Sequence, residues 1–269
     1  CSSQLEIGLP ELSPETAAAF VSFKGKFVLN LVDLTPAAAE KFINNDSSLT
    51  LNIKNLNPKS AELLARREAP LLLVGLNEFS DQLATALSKT KGDLHLELPH
   101  AKLTNYALAE LAKKDGVLVL RLSTGGYRNQ INDPELANSL AEGTGTVALE
   151  FGRDDFQQRF RPTRWTFSPA MARAFARKDG ILILDDGFPE NKDSIDPLVG
   201  SKGQLLFPEM GNYMNDPPPA FLKSPNIHIH QMTFVDLTRD NVKTLKTVER
   251  ISPEYISLSS VKTLTHEAL

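Results

Sequence analysis

The sequence predicts an α/β fold assembled from repeats, with a parallel β-sheet on one face and short α-helices on the other. Three observations predict it. Apolar segments restart every 22 residues early in the chain, at Leu5, Phe27, Leu49 and Leu71. Each restart alternates, as with Leu49, Leu51 and Ile53 against Thr50 and Asn52, which is the period of a half-buried strand. A helix-starting residue follows within a few positions, and small and apolar residues then recur at helical spacing, as in Ala39 and Phe42.

The remaining restarts fall at Leu94, Leu118, Val147, Leu182, Leu205, Ile227 and Ile256, with spacings that loosen to between 22 and 35. The predicted helix starts are Ser13-Pro14, Thr35-Pro36, Asn57-Pro58, Asp133-Pro134, Ser168-Pro169, Asp196-Pro197 and Asp216-Pro217. Ser80, Thr104, Thr238 and Thr265 serve as caps without a proline. A cap side chain accepts from a free backbone N–H, and proline at the first helical position gives up only an N–H that lacked a partner. Gly25, Gly92, Gly116, Gly180 and Gly203 are expected to close the helices.

One strand and one short helix cannot bury their apolar sides alone, so stacked units must share a continuous core. Leu29, Leu51, Leu73, Leu96, Leu120, Leu149, Leu184, Phe207 and Ile229 are expected to form one buried ladder. Strands ~4.8 Å apart make eleven units a rod or arc of roughly 50 Å. Strand–helix alternation also writes doubly wound sheets and barrels. Units of 22 residues are too short for those folds, and no glycine-rich phosphate loop follows any strand.

Lines such as FVLNLVDLTPAAAEKFINNDSS, beginning at Phe27, resemble the leucine-rich repeat superfamily, specifically a bacterial type with a strand followed by L-[ST]-x-x-A-A-x-x-L. The resemblance covers nearly the whole chain and loosens after Val147; the consensus Asn of the longer repeats is absent. It implies a leucine-rich-repeat solenoid over residues 5–269, of ten to eleven repeats, with long inserts near 123–131 and 152–167. It also implies binding and scaffolding, and it brings no catalytic residue.

Composition narrows the function. The net charge of −4 gives no bulk attraction to nucleic acid, and no apolar run approaches the ~18 residues of a membrane span. Cys1 is the only cysteine, which rules out an internal disulfide. The opening Cys1-Ser2-Ser3-Gln4 resembles a mature bacterial lipoprotein, which implies a tether over residues 1–4, lipid on Cys1 and a place at the cell envelope. No motif for an enzyme or a cofactor site appears, and carboxylate pairs such as Asp154-Asp155 and Asp185-Asp186 point to opposite faces of a strand.

The expected partner is another protein or a second copy of the chain, the latter in a surface layer or filament. The insert at 152–167 is the candidate contact, because Trp165, Phe156 and Phe160 lie among Arg159, Arg161 and Arg164, types that gain most from desolvation at interfaces. Alternatively, its aromatic residues fold back onto the sheet. The outward strand row Glu6, Val28, Thr50, Leu72, His95, Val119, Ala148, Ile183, Leu206, His228 and Ser257 is apolar at six of its eleven positions. Such a row reads either as a partner surface or as a face covered by the inserts. His228 and His230 leave one strand face together, a geometry for two metal ligands, but no third ligand is near and no metal is expected. The run Met210 to Pro219 reads as a proline-stiffened turn or a recognition loop.

Overall fold

The computed structural model describes residues 4–98, 101, 103–123, 134–152, 165–184, 187–189, 192–207, 224, 226–229, 232–233, 236–237, 256–257 and 263–264. Ten strands form one sheet, and every pairing in it is parallel. In spatial order they are β1 (Gln4–Gly8), β2 (Lys26–Asp33), β3 (Leu49–Asn55), β4 (Leu71–Val74), β5 (Leu94–Leu98), β6 (Val117–Ser123), β7 (Thr146–Gly152), β9 (Ile181–Leu184), β11 (Gln204–Phe207) and β12 (Ile227–Ile229). Spatial order follows chain order. The register carries Leu5 through Phe27, Leu49, Leu71, Leu94, Leu118, Val147, Leu182 and Leu205 to Ile227, the series of restarts read from the sequence.

Eight helices are described: α1 (Pro14–Phe20), α2 (Pro36–Lys41), α3 (Pro58–Leu64), α4 (Asp81–Leu87), α5 (Asn105–Ala112), α6 (Pro134–Glu142), α7 (Pro169–Phe175) and α8 (Lys192–Val199). Each packs on the next, giving a single layer. Ser13, Thr35, Asn57, Ser80, Thr104 and Ser168 cap their helices as expected, each in extended backbone with its side chain accepting a backbone N–H three residues on. Asp133, Asp216, Thr238 and Thr265 lie outside the described residues.

Between the layers runs one apolar core. Every ladder residue from Leu29 to Phe207 is at most 2% exposed, while the side chain of Ile229 is outside the described residues. At roughly 1.5–3 kcal/mol per buried large side chain, this ladder and the leucines around it supply the main stabilisation. Two short strands, β8 (Trp165–Phe167) and β10 (Gly187–Pro189), form a second parallel pair ahead of α7 and α8. They seat Phe167 in the core, edge-on to Phe175 at 5.6 Å and stacked on Phe207 at 6.2 Å.

Three expectations are corrected. Asp196-Pro197 does not start a helix: α8 begins at Lys192 and Pro197 lies inside it, because Ile195 and Leu198 share one buried face. The glycines do not close the helices: the residues after α1 to α5 and α7 are right-handed, and each glycine sits at the corner where the chain enters the next strand. A Cβ on Gly203 would lie 2.1 Å from the Gly180 carbonyl oxygen, so close approach of neighbouring units is the reason for glycine there. Finally, the restart at Ile256 does not extend the main sheet; Ile256 pairs with Met232 in a separate two-stranded sheet.

Candidate interaction surface

The same corner holds a column of buried polar side chains. Asn45, Arg67, Thr90, Lys114, Lys178 and Ser201 each stand four residues before the first core residue of the next strand. Most reach back to a carbonyl of the preceding unit. Asn45 Nδ2 donates to Val21 O at 2.8 Å, and Lys114 Nζ donates to Thr90 O at 2.9 Å. Arg67 donates through Nη1 to Phe42 O and through Nη2 to Ser47 O, the latter at 2.7 Å; Lys178 Nζ donates to Gly143 O. Burial pulls the Arg67 guanidinium down to about 10, with Asp46 opposing, and the Lys178 ammonium down to about 8, with Asp179 opposing. These cations face backbone carbonyls just past the ends of the preceding helices, where the helical hydrogen-bond ladder has run out, so the column is structural.

The outer sheet face, opposite the helices, changes along its length. Glu6 is exposed, Val28, Leu72 and His95 are half-buried, and Thr50 is buried. From β6 onward the row is withdrawn from solvent: Val119 is 4% exposed, Ala148 and Ile183 0%, and Leu206 1%. These four are therefore unavailable as contact surface in the folded chain. Isolated apolar side chains on a solvated face would not reach such values. The next outward row stays accessible through β6. There Asn30 Nδ2 donates to Glu6 Oε1 at 3.2 Å, Asn52 Nδ2 donates to Asn30 Oδ1 at 3.0 Å, and Arg121 bridges to Glu97 at 3.3 Å. The strands thus present an ordered, partly polar face over β1 to β5, and the Thr50 hydroxyl within it has no hydrogen-bond partner among the described residues.

Most residues singled out in the sequence cannot be placed on this surface. Cys1, Phe156, Arg159, Phe160, Arg161, Arg164, His230 and the run from Met210 to Pro219 lie outside the described residues. Trp165 and His228 are placed by backbone alone, in β8 and β12, where His228 pairs with Leu206. Among the described residues, no three His, Cys, Asp or Glu side chains are grouped to hold a metal ion, and no helix is long and apolar enough to cross a membrane. On the helix side, a shallow cavity of about 460 Å³ lies between α3, α4 and α5, lined by Glu62, Asp81, Gln82, Lys89 and Tyr106. No family model, curated protein or solved structure matches the chain.

Proposed function

We propose that the chain is a leucine-rich-repeat solenoid that binds or scaffolds another protein, through the outer face of its first five strands. The observation that carries this reading is the division of that face. Its first outward row is withdrawn from solvent from β6 onward, yet over β1 to β5 the face keeps accessible, hydrogen-bonded Glu6, Asn30 and Asn52 beside half-buried Val28, Leu72 and Val74. A row of side chains fixed in register is pre-organised for a partner, which reduces the ordering cost of binding. An enzyme is disfavoured, because the buried cations are occupied by backbone carbonyls and no catalytic motif accompanies them.

A photo-crosslinking residue at Asn30 or Asn52, compared with one at Glu40 or Lys59 on the helix side, tests the reading in the native cell. Crosslinks to one protein from the sheet side alone are expected. Purified, that protein should bind about tenfold or more weakly to Asn52→Arg. Crosslinking from the helix side alone would overturn the assignment. The envelope location rests on Cys1: Cys1→Ser should release the native protein from membranes into the aqueous phase, and equal partitioning of both forms removes that part of the proposal.

A further inference from the structure

All strands of the sheet run one way, so all helix N-termini meet one long edge and all helix C-termini the other. Over β1 to α5 the two edges differ in charge. At the edge where strands end and helices begin, Glu11, Glu15, Asp33, Glu78 and Asp81 are exposed among the described residues, against Lys54 and Lys59. At the edge where helices end and strands begin, Lys24, Lys26, Arg66, Lys89, Lys91 and Lys113 are exposed, with Lys41 nearby. Among the described residues the exposed acids there are Asp46, Glu68 and Asp115, with Glu40 beside Lys41, and Asp93 is half-buried. Buried Arg67 and Lys114 add to the positive side.

Complementing the helix dipoles inside one chain explains Glu15 and Asp81 in the first turns of α1 and α4. It does not explain Glu11, Asp33 and Glu78, or Lys24, Lys26 and Lys91, which stand outside the helices. Among the described residues, few of these charges are paired with an opposite charge. The exposed ion pairs on the cationic edge are Lys91 with Glu68 at 3.8 Å and Lys113 with Glu110, and surface pairs of this kind hold weakly.

We propose that copies of this chain associate side by side, the cationic edge of one against the acidic edge of the next. Both edges repeat with the strand spacing of ~4.8 Å, so two edges laid along each other stay in step over several units. The contact is heterologous and leaves an unused edge at each end, so it extends to rows or closes into rings. It uses the edges and leaves the outer sheet face free, so it stands or falls separately from the partner site proposed above.

Charge reversal tests it. One variant carries Lys24→Glu, Arg66→Glu and Lys89→Glu; the other carries Glu11→Lys, Asp33→Lys and Glu78→Lys. Sedimentation velocity is run at ~0.01 M ionic strength, where the screening length is ~30 Å, and at ~1 M, where it is ~3 Å. The unaltered chain should associate at low salt and dissociate at high salt. Each variant alone should associate at least about tenfold more weakly, and an equimolar mixture of the two should regain association, because each then offers the edge the other lacks. Circular dichroism checks that both variants fold; Arg66→Gln with Lys89→Gln replaces a reversal that does not. A monomeric unaltered chain at low salt, variants that associate undiminished, or a mixture that stays monomeric would each overturn the proposal.

Discussion

Arg67→Ala should cost about 3 kcal/mol of stability. Arg67 is 0% exposed, between the end of α3 and the start of β4, and its two terminal nitrogens serve Phe42 O and Ser47 O. Truncation removes two hydrogen bonds from a charged donor, at ~1.5–3 kcal/mol each; Ser47 O is left without a donor, while Phe42 O keeps the Asn45 N–H at 3.2 Å. It also removes two buried methylenes, at ~0.8 kcal/mol each. Against this, the variant no longer buries a charge. The fall of the guanidinium from its ordinary value to about 10 places that relief near ~3 kcal/mol, at ~1.4 kcal/mol per tenfold change in proton affinity. The remainder is a loss of about 3 kcal/mol, and Arg67→Met, which keeps the stem, should lose about half as much. Urea unfolding followed by circular dichroism measures both as a lower midpoint at unchanged slope. A smaller slope would mean that the units had begun to unfold independently, as repeat arrays can. If Arg67→Ala unfolds within ~1 kcal/mol of the parent, the carbonyls have found other partners and the reasoning fails.

Lys178 gives a pH signature. Its folded-state value is about 8 against 10.5 for the free side chain, so between those values the unfolded chain binds more protons and stability rises with pH. Lys178→Met should flatten that rise, and equal slopes for the two proteins in a urea-midpoint titration would contradict the assignment. Gly203→Ala should lose ~1–3 kcal/mol or more, measured as the shift in thermal midpoint, because its Cβ would meet the backbone oxygen of Gly180. Pro197→Ala should gain up to ~3 kcal/mol by restoring an N–H inside α8; no change in midpoint would show that the helix has already relaxed around the ring. Leu73→Ala should cost ~2–5 kcal/mol by the same measurement, and a negligible loss would argue against its place in the core.

The strand register was legible because its signal is local and redundant: a one-residue slip would move Leu49, Leu51 and Ile53 together to the wrong face. Helix caps were legible for a similar reason, since Ser13, Thr35 and Asn57 act within three residues of themselves. Asp196-Pro197 carries the same local signal and misleads, because burying Ile195 and Leu198 outweighs the cost of proline in the helix. The corner column escaped notice because its members share a position and not a chemistry: an amide, a guanidinium, the Thr90 hydroxyl and two ammonium groups meet the need for a donor, while the Ser201 hydroxyl has no partner among the described residues. Aligning the lines on their strand starts would have exposed it. Alternation could not report the burial of Val119, Ala148, Ile183 and Leu206 on the outer face, since it assigns a side chain to a face without saying what that face meets. The insert residues and the two histidines were named from composition and spacing, which do not determine where a long connection runs.

The corner column also has a direction in time. Asn45, Arg67, Lys114 and Lys178 donate to carbonyls that precede them in the chain. During synthesis, every such donor therefore emerges after its acceptor has been made, and each new unit can dock on a finished one. Within this column, shortening the chain from its C-terminal side releases only carbonyls, which water can satisfy. Removing everything before β3 would strip Arg67 of both its acceptors, Phe42 O and Ser47 O, and leave a guanidinium designed for burial at a raw end. Shortened forms should therefore survive far better when cut from the C-terminal side, and a growing chain should gain protease resistance one unit at a time, starting from β1.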